Sequence, residues 1–209
     1  MLGKRSIGEP GDRLFECVAI GASAGGLHAL RTVLSGLPPA FPVPIVIVQH
    51  VEPRGDCYLS EILDRATAIA VKEAEDKELM HAQTAYIAPA GYHLLVERDG
   101  TLSLSLDEKV NFCRPAIDPL FESAADAFGP SLIGIVLTGA NADGAKGLMQ
   151  IKEQGGYAIV QNPRSAESPC MPQAAIDAVR VDKVLDLEHV SSFLARLVKG
   201  FGHETGADG

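Results

Sequence analysis

The sequence predicts a single α/β domain on a doubly wound, mostly parallel sheet, three-layered and Rossmann-like, with a small antiparallel hairpin insert. Three observations predict it. Apolar runs rich in β-branched residues recur along the chain, at Cys17 to Ile20, Pro44 to Gln49 and Leu132 to Leu137, as in strands buried on both faces. Segments of helical spacing separate them, the alternation expected of a parallel sheet. Small residues and glycines, Gly21-Ala22-Ser23-Ala24-Gly25-Gly26, turn the first run into the first helix.

The elements follow in order. Leu27 to Leu34 has the spacing of a helix, and Leu37-Pro38-Pro39 with Pro42 punctuates the loop after it. The second strand ends in His50. A loop through Pro53-Arg54-Gly55 leads to a helix with Tyr58, Ile62, Leu63 and Ala66 on one face, for which Asp56 is a candidate cap. The middle consists of short runs, Tyr86 to Ala88, His93 to Arg98 and Thr101 to Leu106. Asp99-Gly100 marks a hairpin between the last two, and the Leu/Ser alternation after it has period two. These runs predict the antiparallel insert. Asp118-Pro119 starts a helix that Gly129 stops. Leu132 to Leu137 is a strand, and a helix runs from about Ala145 to Gly155-Gly156. A strand from Tyr157 to Gln161, a helix opening at Pro172, an apolar piece from Val181 to Leu187 and a helix from about His189 to Val198 close the fold.

The 209 residues suffice for one substantial core, and residues 14–198 are read as that domain. Residues 1–13 read as a flexible leader and 199–209 as a flexible tail. A net charge of −9 leaves no electrostatic footprint for nucleic acid or anionic membrane. No apolar run reaches transmembrane length and no signal peptide is apparent, so a cytoplasmic protein without membrane insertion is expected. The four cysteines form no Cys-x-x-Cys pair, which argues against a zinc ribbon and for reduced thiols; Cys17 reads as core filler.

Three strands thus end at Ser23, at His50 and at the segment carrying Asp143, and open α/β sheets bind ligands outside such carboxyl ends. Ser23 sits on a strand-to-helix turn, which suits a nucleophile elbow, a phosphate cradle or a tight structural turn. Serine hydrolysis needs a base, a group that orients the base, and donors for the oxyanion. Ser23, His50 and Asp143 fit these needs, with backbone N–H groups of Ala24 or of the Gly139-Ala140 turn as donors. His50 reads equally as a hydrogen-bonded structural residue, and Asp143 as the cap of the helix that follows it. Dinucleotide and Walker A loops fit badly: the turn lacks the central glycine of G-x-G-x-x-G, and no Gly-Lys-Ser/Thr follows. The order Ser…His…Asp also differs from the α/β-hydrolase order.

Several separated motifs resemble the catalytic domain of the CheB-type chemotaxis protein-glutamate methylesterases. They are Ile20 to Gly26, Val48-Gln49-His50, Tyr86-Ile87-Ala88-Pro89 followed by His93, Arg114-Pro115-Ala116-Ile117-Asp118, Leu137-Thr138-Gly139 through Asp143-Gly144-Ala145, and Met171-Pro172. The resemblance spans about Val18 to Leu187. It implies a serine hydrolase that demethylates glutamyl methyl esters on the cytoplasmic helices of methyl-accepting chemotaxis receptors, with glutamine deamidation as a further activity in some members. Ser23 would be the nucleophile, His50 the base and acid, and Asp143 the orienting carboxylate. Ala24 and Ala140 would supply oxyanion donors, with His93 and Arg114 in support and Asp118 capping its helix. No metal or organic cofactor is implied.

The chain departs from the family in places. The family commonly carries an N-terminal receiver domain, whereas about thirteen residues precede the first strand here. Control by phosphorylation is therefore expected, if at all, from a separate receiver-domain protein of a phosphorelay. Val51-Glu52-Pro53 replaces the usual Met-Pro after the histidine, and Ala140-Asn141 replaces Met-Gly in the Thr-Gly-Met-Gly turn. The alternatives are a non-catalytic binding module of the same fold and an esterase with another protein or small-ester substrate.

Overall fold

The computed structural model describes residues 14–50 and 58–199. The expected leader, the Asp56 cap, Cys57, the altered segment after His50 and all of the expected tail except Lys199 lie outside them. Within them, nine strands and six α-helices form two sheets. β1 (Cys17–Ala22), β2 (Ile45–Gln49), β3 (Ala70–Glu73), β4 (Thr84–Ile87), β7 (Leu132–Val136), β8 (Tyr157–Gln161) and β9 (Lys183–Leu185) make a sheet of order β3-β4-β2-β1-β7-β8-β9, parallel throughout. β5 (His93–Val96) and β6 (Leu102–Ser105) form the separate antiparallel hairpin.

The central strands are buried on both faces, as their continuous apolar runs require. Alternate residues of β1 enter different cores. Val18, Ile20 and Ala22 join a cluster with α1 (Gly26–Ser35) and α6 (Leu187–Val198). Cys17 and Ala19 join one with the hairpin, α3 (Ile117–Phe128), α4 (Ala145–Glu153) and α5 (Cys170–Ala178). The result is the expected three-layered doubly wound domain. Cys17 is core filler as expected, and burial pushes its thiol up to about 12.

The differences are local. The run at Tyr86 belongs to β4 of the main sheet, so only the last two short runs make the insert. Edge strand β3 had no sequence signal, since four residues with two charges show neither apolar run nor clean alternation. α2 (Leu59–Asp64) is six residues long and buries Leu63, while Tyr58 and Ile62 stay 57% and 47% exposed. Its inward stripe is Leu59–Leu63, because Ala66 lies past its end. α5 opens at Cys170, with Pro172 accommodated in the first turn, where its missing N–H is not needed. No helix among the described residues is long and apolar enough to cross a membrane.

Chain order makes β1 the switch point of the sheet. From β1 the chain moves outward through β2, then returns to place β7 on the other side. The carboxyl ends of β1, β2 and β7 therefore open onto one crevice.

Candidate active site

Ser23 follows β1 directly and is fixed by its backbone. Its N–H donates to Thr138 O (2.9 Å), and its carbonyl accepts from Gly26 N (2.8 Å) and from Gln49 Nε2 (2.9 Å). Gly25 takes φ 77° at the head of α1, a left-handed conformation that favours glycine. A Cβ on Gly26 would collide with Gln49 Oε1, so the turn must be small where β2 crowds it. Gln49 Nε2 spends its second hydrogen on His50 O (2.9 Å). One side-chain amide thus ties the backbones of the serine and the histidine together. His50 N donates to Ala22 O (3.0 Å), continuing the β1–β2 pairing to the crevice.

The side chains of Ser23, His50 and Asp143 form a line. Ser23 Oγ lies 3.1 Å from His50 Nδ1, and His50 Nε2 lies 2.7 Å from Asp143 Oδ2. An ionised carboxylate only accepts, so Nε2 carries the proton and Nδ1 is the acceptor for the serine hydroxyl. The ring is used the other way round from serine proteases, where Nε2 faces the serine. His50 retains 10% side-chain exposure while Asp143 has none.

Asp143 is stationed by helix ends. Oδ2 accepts from Ile117 N (2.7 Å), and Oδ1 from Asp118 N (3.2 Å), Gly144 N (3.1 Å) and Asn111 Nδ2 (2.8 Å). Ile117 and Asp118 open α3, whose preceding residue Ala116 offers no side-chain cap. The expected cap role of Asp143 thus falls chiefly on a different helix. The expected cap role of Asp118 is corrected likewise: it lies inside the first turn of α3. Its Oδ1 accepts from Gly144 N (3.0 Å) and Gly147 N (2.8 Å), at the start of α4. Each aspartate caps the other's helix, because α3 and α4 lie side by side with their N-termini at the crevice. Burial alone would raise Asp143, but hydrogen bonds from His50, the Ile117 amide and Asn111 outweigh it and hold the carboxyl below its usual range. Burial, with the Asp143 charge beside it, raises Asp118.

The remaining expected site residues divide into two groups. The backbone N–H groups of Ala24 and Ala140 donate to no group among the described residues, and both residues are exposed beside Ser23 and Thr138. The Ala140-Asn141 turn is closed by Asn141 Oδ1, which accepts from Asp143 N (3.1 Å). Thr138 Oγ1 donates to Ala24 O (2.8 Å) and accepts from Ser168 N (2.8 Å), joining this turn to that of Ser23. His93 and Arg114 instead organise the loop from Leu106 to Ala116. His93 is buried, its Nε2–H donating to Glu108 O (3.0 Å) and its Nδ1 accepting from Ala116 N (3.3 Å). Arg114 Nη1 donates to Leu106 O (2.7 Å) and Asp107 O (2.9 Å). Sequence reasoning assigned no role to Gln49 or Asn111. Gln49 lay inside a quoted motif; Asn111 had only its place before Arg114-Pro115 to signal it.

Beside Ser23 a groove of about 470 Å³ opens along α1, lined by Leu27, His28, Arg31, Ile62 and Glu167. Among the described residues no group of three or more His, Cys, Asp and Glu could hold a metal ion.

The CheB methylesterase family model matches residues 18–194. The chain belongs to the CheB methylesterase family. It is 50% identical over 183 residues to a Leptospira interrogans protein provisionally named protein-glutamate methylesterase/protein-glutamine glutaminase, covering 88% of this chain and 95% of that one. It is 41% identical over 184 residues to the protein-glutamate methylesterase FrzG of Myxococcus xanthus, covering 88% of this chain and 55% of FrzG. The chain thus spans almost the whole of the first CheB relative and about half of the second. The crystal structure of the Thermotoga maritima CheB methylesterase catalytic domain superimposes with a TM-score of 0.83 at 34% identity, covering 87% of this chain and 97% of that one. This likeness extends the CheB assignment from sequence to fold.

Proposed function

We propose that the chain is a serine hydrolase that demethylates glutamyl methyl esters on the cytoplasmic helices of chemoreceptors, working in the cytoplasm through Ser23, His50 and Asp143. The observation that carries this reading is the unbroken line from Ser23 Oγ through both nitrogens of His50 to Asp143. The names of the CheB relatives supply the ester.

Ser23 Oγ attacks the ester carbonyl carbon while its proton passes to His50 Nδ1. The new imidazolium is stabilised through Nε2–H by Asp143, which stays ionised. The carbonyl oxygen, now an oxyanion, takes hydrogen bonds from the free N–H groups of Ala24 and Ala140. Donors of this kind are each worth about 3 kcal/mol. Collapse expels methoxide, which leaves as methanol with the proton from Nδ1, and an acyl-serine remains. Water then gives its proton to Nδ1 and attacks the acyl carbon, releasing the glutamyl carboxylate and restoring Ser23. A glutamine side chain follows the same route with ammonia as leaving group, in keeping with the glutaminase half of the relatives' name.

The test is methanol release from methylated receptor membranes. Ser23→Ala should lower kcat by about six orders of magnitude. Ser23→Ala/His50→Ala should fall no further, because such residues act as a unit. Retained turnover in Ser23→Ala would overturn the assignment. A fluorophosphonate adduct confined to Ser23 separates catalysis from a binding module, which would take up no label.

A further inference from the structure

Residues Val110 to Cys113 make a tight turn in which Val110 and Cys113 exchange both backbone hydrogen bonds (3.1 and 2.8 Å). Both central residues are left-handed, Asn111 at φ 50° and Phe112 at φ 62°. Asparagine tolerates this conformation, but for a residue as bulky as phenylalanine it costs on the order of 1 kcal/mol. Phe112 gains no burial in return, being 96% exposed. What the turn delivers is the side chain of Asn111, pointed inward. One hydrogen of Nδ2 donates to Asp143 Oδ1 (2.8 Å) and the other to Asp118 Oδ2 (3.0 Å).

We propose that Asn111 is a positioning residue for the reaction, the clamp that holds the Asp143 carboxylate in register with His50. This rests on the reading of Ser23, His50 and Asp143 as the catalytic line. The remaining partners of Asp143 are His50 itself and backbone amides at the starts of α3 and α4. Among the described residues Asn111 is therefore the one other side chain that hydrogen-bonds this carboxylate and fixes its rotation. It also sits between two buried carboxylates, where a group with two donors and no charge satisfies both. Leucine or alanine there would leave Oδ1 of Asp143 and Oδ2 of Asp118 each short of a donor, and aspartate would add a third acceptor to the cluster. His93 and Arg114 then have a purpose at a distance: they pin the loop on which Asn111 rides.

The experiment uses Asn111→Gly, since glycine accepts φ 50° and keeps the turn while removing the amide. Thermal unfolding establishes that the variant is folded, and Phe112→Gly serves as a control that alters the same turn but leaves Nδ2 in place. Asn111→Gly should lower kcat by about 10- to 100-fold with KM within about twofold, the cost of a misplaced catalytic group rather than a lost binding contact. The low-field proton resonance of His50 Nε2–H, read by NMR, should shift or broaden in Asn111→Gly and stay put in Phe112→Gly. Parental kcat in folded Asn111→Gly, or an equal loss in Phe112→Gly, overturns the proposal. If Asn111→Gly does not fold, Asn111→Asp decides: it should lose at least as much activity, and an unmoved resonance with parental kcat refutes the clamp. The resonance is read without substrate. A parental protein that releases no methanol would therefore defeat the functional reading while leaving the Asn111 contact testable.

Discussion

His50 meets the nucleophile with Nδ1 and the carboxylate with Nε2, so the contact with Asp143 sets which ring nitrogen carries the proton. Asp143→Asn would face His50 with an amide whose donors compete for that place. The neutral ring then loses its fixed tautomer, and kcat should fall by about 10³- to 10⁴-fold in the methanol assay. The same substitution has a stability signature with a definite sign. The folded carboxyl lies below its ordinary value, so its contribution is complete above the unfolded pKa of about 4 and is lost as pH falls through the lower folded one. The gap in urea midpoint between parent and Asp143→Asn should be wide at about pH 7 and narrow toward about pH 3. A gap constant over that range would mean that the charge is not its source. The convergence of Ser23, His50 and Asp143 was legible in the sequence because the first two directly follow recognisable strands and the third lies in the turn between a third strand and its helix. Gln49 and Asn111 were not, because an amide's role depends on which carbonyls or carboxylates the fold brings to it.

At the scale of elements, α3 and α4 are joined at their heads by an exchange of caps. Each helix would otherwise leave amides unsatisfied in a buried place, since neither N-cap residue, Ala116 or Gly144, has a capping side chain. Asp118→Ala removes the side-chain acceptor for Gly147 N, one of two acceptors for Gly144 N and one of two for the Asn111 amide. It should destabilise the protein by about 2 kcal/mol, lowering Tm by roughly 4–8 °C, measured by urea and thermal unfolding. A loss confined to a few tenths of a kcal/mol would show that water replaces the carboxylate freely. The sequence makes Asp118 the cap of its own helix and offers the same role for Asp143 as the alternative to orienting His50; the exchange moves most of this capping to the neighbouring helix. The true partners lie 25 to 29 residues away, and spacing along one chain segment carries no trace of them. By contrast β1, β2, β7 and β8 were legible because burial on both faces leaves a composition that little else produces.

For the whole molecule, the crevice exists because the chain reverses direction across the sheet at β1, which places three strand ends around one opening. Stability should be graded outward from that centre. β1, β2, β7 and β8 are wholly buried, whereas β3 and β9 have a neighbour on one side only and expose Ala70, Lys183 and Val184. Native-state hydrogen exchange should show amides of β3 and β9 exchanging at least about tenfold faster than those of the central four. Uniform protection across the sheet would argue for one indivisible folding unit. The doubly wound architecture, though not the strand order, was legible from the alternation of runs and helices. The edges were not, because a strand half open to water needs no distinctive residues.

The exchanged caps of α3 and α4 carry a consequence for protein engineering. A hybrid that joined the first of these helices from one homologue to the second from another would pair aspartates and helix ends that had never been fitted together. Asn111 would belong to whichever parent supplied the loop. The stretch from Leu106 through Gly147 is therefore a natural cassette, to be moved entire or left alone, and crossover points are best placed outside it.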